Sequence, residues 1–168
     1  MENTHTVEEK KALVVDDEID VLESLEELLE DDFMVDTASS FEEAVSCLKK
    51  ATYDVAILDI MGVRGYVLLE ATKKKQIPTL MLTAHAFSPD NLKKSIELGA
   101  DAYVPKDKMV DIAMYVDDVL ASKKSKGRKE SSGKWYAKLQ PLYNEIFGDG
   151  WKDEEREVWE AFDKKYLG

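Results

Sequence analysis

Several apolar segments of this 168-residue sequence end in polar side chains that could do chemistry. These side chains supply three carboxylates, one hydroxyl and one ammonium: Asp16, Asp17, Asp59, Thr83 and Lys106. Neighbouring carboxylates repel one another unless a cation lies among them, and oxygen ligands of this kind suit Mg²⁺, which often shares its site with phosphate. A carboxylate beside the metal could attack a phosphoryl group and form an acyl phosphate. The hydroxyl and the ammonium could then pair with the phosphoryl oxygens.

The segments that position these residues alternate between two patterns. Short apolar runs typical of buried strands are each followed by apolar residues at helical spacing. The predicted strands lie at 11–15, 33–37, 54–58, 79–82 and 102–104. Strands that alternate with amphipathic helices predict a parallel sheet covered on both faces. Working residues in such sheets lie beyond the carboxyl ends of the strands, so we expect the polar strand ends to meet at one edge.

Four segments of the sequence resemble the signature segments of the response-regulator receiver domain. They occur in the family's order and read LVVDDE, ILDI, LTA and YVPK, at residues 13–18, 57–60, 82–84 and 103–106. The similarity covers residues 10–121. It implies an α/β fold of flavodoxin-like type, with a five-stranded parallel sheet in the order 2-1-3-4-5 and helices on both faces.

The resemblance also implies a role for each matched residue at the strand ends. Asp59 would be the phosphoacceptor. Asp17 would ligate Mg²⁺ directly and Asp16 mainly through water, with the backbone carbonyl of Met61 as a further ligand. Lys106 would hold the phosphoryl group by its charge. Capping of the following helix is the alternative role for the two aspartates after the first strand.

Two residues are implied to form a switch. Thr83 would hold the phosphoryl group by a hydrogen bond, and phosphorylation would draw it toward the site. Tyr103, three residues before Lys106, would then rotate inward and remodel the surface of the fourth helix and fifth strand. Plain core packing is the alternative role for this tyrosine.

The loop after Asp59 departs from the family pattern. Residues 61–65 read MGVRG, which lacks the usual proline and brings Gly65 close behind the phosphoacceptor. We therefore expect a loop shortened by about two residues. Met61 and His85 flank the expected path of attacking water, and we hypothesise that Met61 slows hydrolysis of the acyl phosphate.

Charge and aromatic residues are unevenly distributed along the chain. The formal net charge is −12, but residues 1–122 carry 12 basic and 26 acidic side chains, whereas the last 46 carry 11 and 9. Those 46 residues also hold all three tryptophans and eight of the 15 aromatic residues.

The composition excludes collagen-like and globally disordered classes. A chain this acidic repels nucleic acid as a whole, so we do not expect nucleic acid as a partner.

We predict three parts: a receiver domain at 10–121, a basic flexible linker at 122–134 and an aromatic-rich helical extension at 135–168. The linker is rich in Ser, Gly and Lys and lacks apolar side chains. Apolar residues of the extension repeat at helical spacing, although Pro141 would break that helix or begin a new one. Two short helices cannot bury eight aromatic residues alone, so we expect them to dock on the receiver, on a second copy or on another protein.

The sequence favours a cytoplasmic response regulator. We do not expect it to be an enzyme that turns over an external substrate. A histidine kinase or phosphotransfer protein would donate the phosphoryl group to Asp59, and the signal would leave through an unidentified protein target, for which a second copy of the chain is one candidate. No apolar run is long enough to cross a bilayer, so we expect no membrane insertion. Two alternatives stay open: a Mg²⁺-dependent aspartyl phosphotransferase or phosphatase, and a receiver-like scaffold that acts through its C-terminal helices.

Overall fold

Strands and helices alternate along most of the chain, as the periodicity predicts. The computed structural model describes residues 9–84, 87–124 and 134–167. The strands are β1 (Lys10–Val15), β2 (Phe33–Ala38), β3 (Val55–Asp59), β4 (Thr79–Thr83) and β5 (Ala102–Pro105). The helices are α1 (Ile19–Leu29), α2 (Phe41–Lys50), α3 (Gly65–Lys74), α4 (Pro89–Glu97), α5 (Ile112–Lys124), α6 (Lys134–Phe147) and α7 (Arg156–Leu167), with 3₁₀ helices at Lys106–Asp111 and Asp153–Glu155.

The five strands form one parallel sheet in the order β2-β1-β3-β4-β5, so the predicted α/β fold is confirmed. Every residue of β3, β4 and β5 is buried, as is the second half of β1. Helices therefore cover the sheet, which explains why these strands are nearly continuous apolar runs rather than alternating ones.

Local sequence signals set the ends of several helices. Ser40 caps α2 by accepting a hydrogen bond from the backbone N–H of Glu43 at 3.1 Å. Ser88 caps α4 in the same way, and Pro89 takes the first helical position, where its missing N–H costs nothing. Gly99 follows α4 with a φ of +102°, the left-handed conformation expected after a helix end.

The C-terminal helices pack on the strands and helices that precede them, which is the first of the three docking alternatives. Helix α6 contacts α5 and the edge strand β5, and α7 packs on α6. Their buried side chains are mostly aromatic: Trp135, Tyr136, Leu139, Tyr143, Trp159 and Phe162. Two ion pairs add to this contact, Lys138 with Asp118 of α5 at 2.8 Å and Lys93 of α4 with Glu155 at 2.6 Å.

Helix α6 runs through Pro141, contrary to the expected break. The proline is exposed, whereas Leu139 and Tyr143 on either side of it are buried. Burial of side chains on both halves of the helix therefore outweighs the cost of the proline.

The predicted linker at 122–134 overlaps the last three residues of α5 and the first residue of α6. Its remaining residues, 125–133, lie outside the described part of the chain. Among the described residues, no helix combines the length and the apolar character needed to span a membrane.

Candidate functional site

The carboxyl edge of the sheet brings the predicted polar residues together. β3 ends at Asp59, β4 ends at Thr83, and Lys106 directly follows β5. Parallel pairing places Thr83 opposite Pro105, the residue before the lysine. Asp16 follows β1, and its backbone N–H donates to the last carbonyl of β2 at 3.1 Å. Side chains from four adjacent strands therefore share one edge.

The ammonium of Lys106 lies among three carboxylates. Its Nζ is 2.8 Å from Oδ2 of Asp16, 3.0 Å from Oε1 of Glu18 and 3.8 Å from Oδ1 of Asp59. Asp16 and Asp59 are buried, whereas Glu18 is exposed. One ammonium cannot balance this many carboxylates, so the cluster keeps an excess of negative charge.

This excess appears in the pKa values of the buried groups. Burial, followed by the charge of Asp16, raises the pKa of Asp59 from 3.8 to about 7, although Lys106 opposes the shift. Burial likewise raises the pKa of Asp16 against the effect of the lysine. Burial lowers the pKa of Lys106, but the contacts with Asp16 and Glu18 and the negative charges of Asp59 and Asp16 together outweigh it, so that pKa is raised and the ammonium stays charged.

A group of oxygen ligands opens toward solvent beside this cluster. One carboxylate oxygen from each of Asp16, Asp17 and Glu18 lies within 4.8 Å of the others. Asp16 also accepts a hydrogen bond from the backbone N–H of Glu18 at 2.9 Å, which fixes the turn after β1. Hard oxygen donors in excess of nearby positive charge are the ligands that Mg²⁺ takes in proteins.

The short loop after Asp59 closes over this group. Gly62 has a φ of +84°, and a Cβ on it would lie against Oδ2 of Asp17 and 2.7 Å from its Cγ. Arg64 also takes a left-handed conformation, with a φ of +56°. Gly65 begins α3 against the backbone of Asp59, where a Cβ would strike the carbonyl oxygen. Two left-handed residues and the absence of a Cβ at the start of α3 thus let the loop turn within five residues, 60–64.

Tyr103 is buried within an aromatic cluster. Its ring stacks on Phe87 at a centroid distance of 5.5 Å, and its hydroxyl accepts a hydrogen bond from the backbone N–H of Ser88 at 3.0 Å. The side chain is 0% exposed. Thr83 is buried as well. Tyr103 is therefore fully buried in this structure, and its role as a switch stays a prediction.

The structure adds Glu18 to the residues that the sequence singled out. Its position directly after Asp16 and Asp17 is a usable signal, but a carboxylate at this position could equally face solvent. The side chain of Met61 is 56% exposed, and the ligand role of its carbonyl stays a prediction. His85 lies outside the described residues.

Comparisons with known proteins agree with this geometry. The family model described as response regulator receiver domain matches residues 12–116. The chain is 42% identical to a probable transcriptional regulator, ycf27, of Guillardia theta over 101 residues, which cover 58% of this chain and 39% of that protein. It is 34% identical to response regulator Rre1 of Synechocystis over 143 residues, which cover 80% of this chain and 60% of that protein.

A solved structure shows the same architecture. The CheY-like receiver domain protein of Methanospirillum hungatei superposes with a TM-score of 0.65 at 28% identity, covering 71% of this chain and 99% of that one. The chain spans between 39% and 60% of the length of the two curated relatives named above. The family match, the strand order and the residues at the sheet edge agree: the chain belongs to the response regulator receiver domain family.

Proposed function

We propose that Asp59 accepts a phosphoryl group and that the chain works as the receiver of a two-component relay. The observation that supports this most strongly is the cluster at the sheet edge, where Asp59 and Asp16 share the ammonium of Lys106. A buried carboxylate beside a cation can attack phosphorus, because the cation offsets charge that develops on the phosphoryl oxygens.

In the proposed reaction, a carboxylate oxygen of Asp59 forms a bond to phosphorus while the bond from phosphorus to a donor imidazole nitrogen breaks. The imidazole leaves with the electron pair of that bond. The donor would be a histidine kinase or a phosphotransfer protein. Lys106 pairs with one phosphoryl oxygen and the hydroxyl of Thr83 donates a hydrogen bond to another.

The oxygen donors at this edge fit Mg²⁺. Asp17, Asp59 and the carbonyl of Met61 would hold the ion directly and Asp16 through water, and Glu18 is a further candidate from its position in the acidic group. When bound, Mg²⁺ would offset the negative charge of the carboxylates and of the incoming phosphoryl group.

Gly62→Ala is expected to weaken Mg²⁺ binding by about tenfold, because the added Cβ would displace the carboxylate of Asp17. Gly148→Ala is the matched control. Its φ of +86° gives a similar backbone strain, but a Cβ there meets nothing within 4 Å, and the residue follows the end of α6 instead of lying in the loop after Asp59. Titration calorimetry with Mg²⁺ measures both affinities. Equal affinities in the two variants would contradict the placement of the loop over Asp17.

The signal would leave through the region around Tyr103 and Thr83, to a protein target in a cytoplasmic setting. The division into a receiver at 10–121, a linker at 122–134 and an extension at 135–168 is part of this proposal. The two relatives described above are named as a probable transcriptional regulator and a response regulator. Both proteins are longer than this chain, so their names do not by themselves assign it a DNA-binding role. That nucleic acid is not a partner stays a prediction.

A phosphorylation assay that compares wild type with two variants tests this proposal. Asp59→Asn removes the proposed phosphoacceptor, and Asp31→Asn is the control that removes one exposed carboxylate outside the site. Each protein is incubated with acetyl phosphate, with and without Mg²⁺, and its intact mass is measured. We expect one added phosphoryl group in wild type and Asp31→Asn, only with Mg²⁺, and none in Asp59→Asn. No uptake by wild type would contradict the proposal and favour a scaffold, whereas multiple turnovers of acetyl phosphate without a stable adduct would favour an enzyme.

A further inference from the structure

Helix α6 covers the strand that carries Tyr103. β5 is an edge strand, and its outward backbone groups need partners. The hydroxyl of Tyr143 on α6 donates a hydrogen bond to the backbone carbonyl of Tyr103. The extension therefore binds the same residue that the family resemblance identifies as a switch.

The ring of Tyr103 is enclosed by side chains that belong to both parts of the chain. Phe87, Tyr103, Tyr143 and Phe147 form the switch cluster. Phe87 stacks on Tyr103 and lies 5.5 Å from Tyr143 and 4.9 Å from Phe147, measured between ring centroids. Because protein interiors are close-packed, the fully buried ring of Tyr103 cannot turn to solvent unless α6 moves. Docking of α6 and an outward Tyr103 exclude each other.

The switch cluster is also connected to the phosphoryl site. Only three residues separate Phe87 from Thr83, which ends β4. The hydroxyl of Tyr103 binds the backbone of Ser88, the N-cap of α4. Tyr103 itself lies three residues before Lys106 on the neighbouring strand. Phe87 and Tyr103 of the switch cluster are therefore close in sequence to Thr83 and Lys106, on the paired strands β4 and β5 or just beyond their ends.

We propose that docking of the C-terminal extension and occupancy of the Asp59 site favour each other. The docked α6 holds Tyr103 in its buried position. The side chain of Tyr103 therefore loses less conformational freedom when a phosphoryl group binds at Asp59. By thermodynamic reciprocity, a phosphoryl group that requires the same arrangement tightens the docking of α6 by the same factor. This inference rests on the proposed function of Asp59.

The placement of tryptophans provides a direct readout. All three tryptophans lie in the extension, at residues 135, 151 and 159, so tryptophan emission reports the extension and not the receiver. Trp151 contacts Phe147 of the switch cluster edge-on at 5.1 Å. Beryllium fluoride with Mg²⁺ serves as the phosphoryl mimic, and its binding is followed separately by ¹⁹F NMR.

In wild type, we expect beryllium fluoride with Mg²⁺ to change the tryptophan emission and to slow amide hydrogen exchange in α6 by about fivefold or more. Asp59→Asn should show neither change. Exchange that is unaltered or faster in α6, while ¹⁹F NMR shows bound beryllium fluoride, would overturn the coupling and leave the proposed function intact. If wild type binds no beryllium fluoride, both proposals fail.

Two matched variants test the reverse direction in the full chain. Tyr143→Phe removes the hydrogen bond to Tyr103 and is expected to raise the beryllium fluoride concentration for half-saturation by about fivefold. Tyr136→Phe is the control, because this equally buried tyrosine on the same helix bonds Asp163 within the extension. Its affinity should stay within about twofold of wild type. Equal affinities of the two variants, or tighter binding by Tyr143→Phe, would overturn the proposal. The exchange measurement on wild type decides the matter if either variant fails to fold.

Discussion

Lys106→Gln is expected to slow phosphoryl uptake by Asp59 by about 100- to 1,000-fold at saturating Mg²⁺. The ammonium lies 3.8 Å from Asp59 and is held by Asp16 and Glu18, so it is positioned before the phosphoryl group arrives. Glutamine can donate a hydrogen bond but carries no charge to offset the phosphoryl oxygens. The measurement is the rate of mass increase with acetyl phosphate.

Lys138→Gln is the matched control for this variant. Lys138 pairs with Asp118 at 2.8 Å, the same distance as the pair between Lys106 and Asp16, but on α6 and α5. Its replacement should leave the rate within about twofold of wild type. A loss of less than about tenfold in Lys106→Gln would contradict the proposed role of its charge.

Asp59→Asn is expected to stabilise the protein in metal-free buffer above about pH 7, by an amount on the order of 2 kcal/mol. Burial and the charge of Asp16 raise the pKa of Asp59 from 3.8 to about 7, so the folded chain binds this proton more tightly than the unfolded chain does. Between about pH 4 and pH 7, ionisation of Asp59 therefore makes wild type less stable as the pH rises. Asparagine has no proton to lose.

Urea denaturation at several pH values measures this effect. The gain in the free energy of unfolding should shrink as the pH falls from about 7 and disappear near about pH 3, below both pKa values, where Asp59 is protonated in the folded and the unfolded chain. Added Mg²⁺ should also reduce the gain, because the ion binds wild type more tightly than the variant. Asp31→Asn, at an exposed position, should show no such pH dependence. A gain that is the same at every pH would contradict the role of charge repulsion.

The fold and most of the candidate site could be predicted because both follow from local patterns. Apolar runs of strand length are short-range signals, and a parallel sheet brings their carboxyl ends to one edge. Asp59, Thr83 and Lys106 each lie at or directly after such an end, so their meeting follows from the topology alone.

The direction of individual side chains could not be predicted in the same way. Glu18 stands at the start of α1, where an acidic residue favours the helix with or without a partner. Its ion pair with Lys106 spans 88 positions of the sequence, so it depends on how β1 and β5 are placed in the sheet. The close approach of the loop after Asp59 to Asp17 depends on the left-handed conformations of Gly62 and Arg64, which the sequence does not specify.

The extension shows the same limit on a larger scale. Apolar spacing predicts its helices, but the same spacing is compatible with three different surfaces that they could cover. The contact of Tyr143 with Tyr103 joins residues 40 positions apart and involves an edge-strand carbonyl, which no periodicity reports. Pro141 added a misleading local signal, because burial of the residues around it outweighs its preference against a helix interior.

The central claim is that Asp59 itself carries the phosphoryl group. Treating the phosphorylated protein with borohydride reduces an aspartyl phosphate to homoserine, which peptide mass spectrometry locates by position. We predict homoserine at position 59, present only after incubation with Mg²⁺ and acetyl phosphate. Homoserine at another aspartate, or a phosphoryl group that withstands borohydride, would contradict the claim.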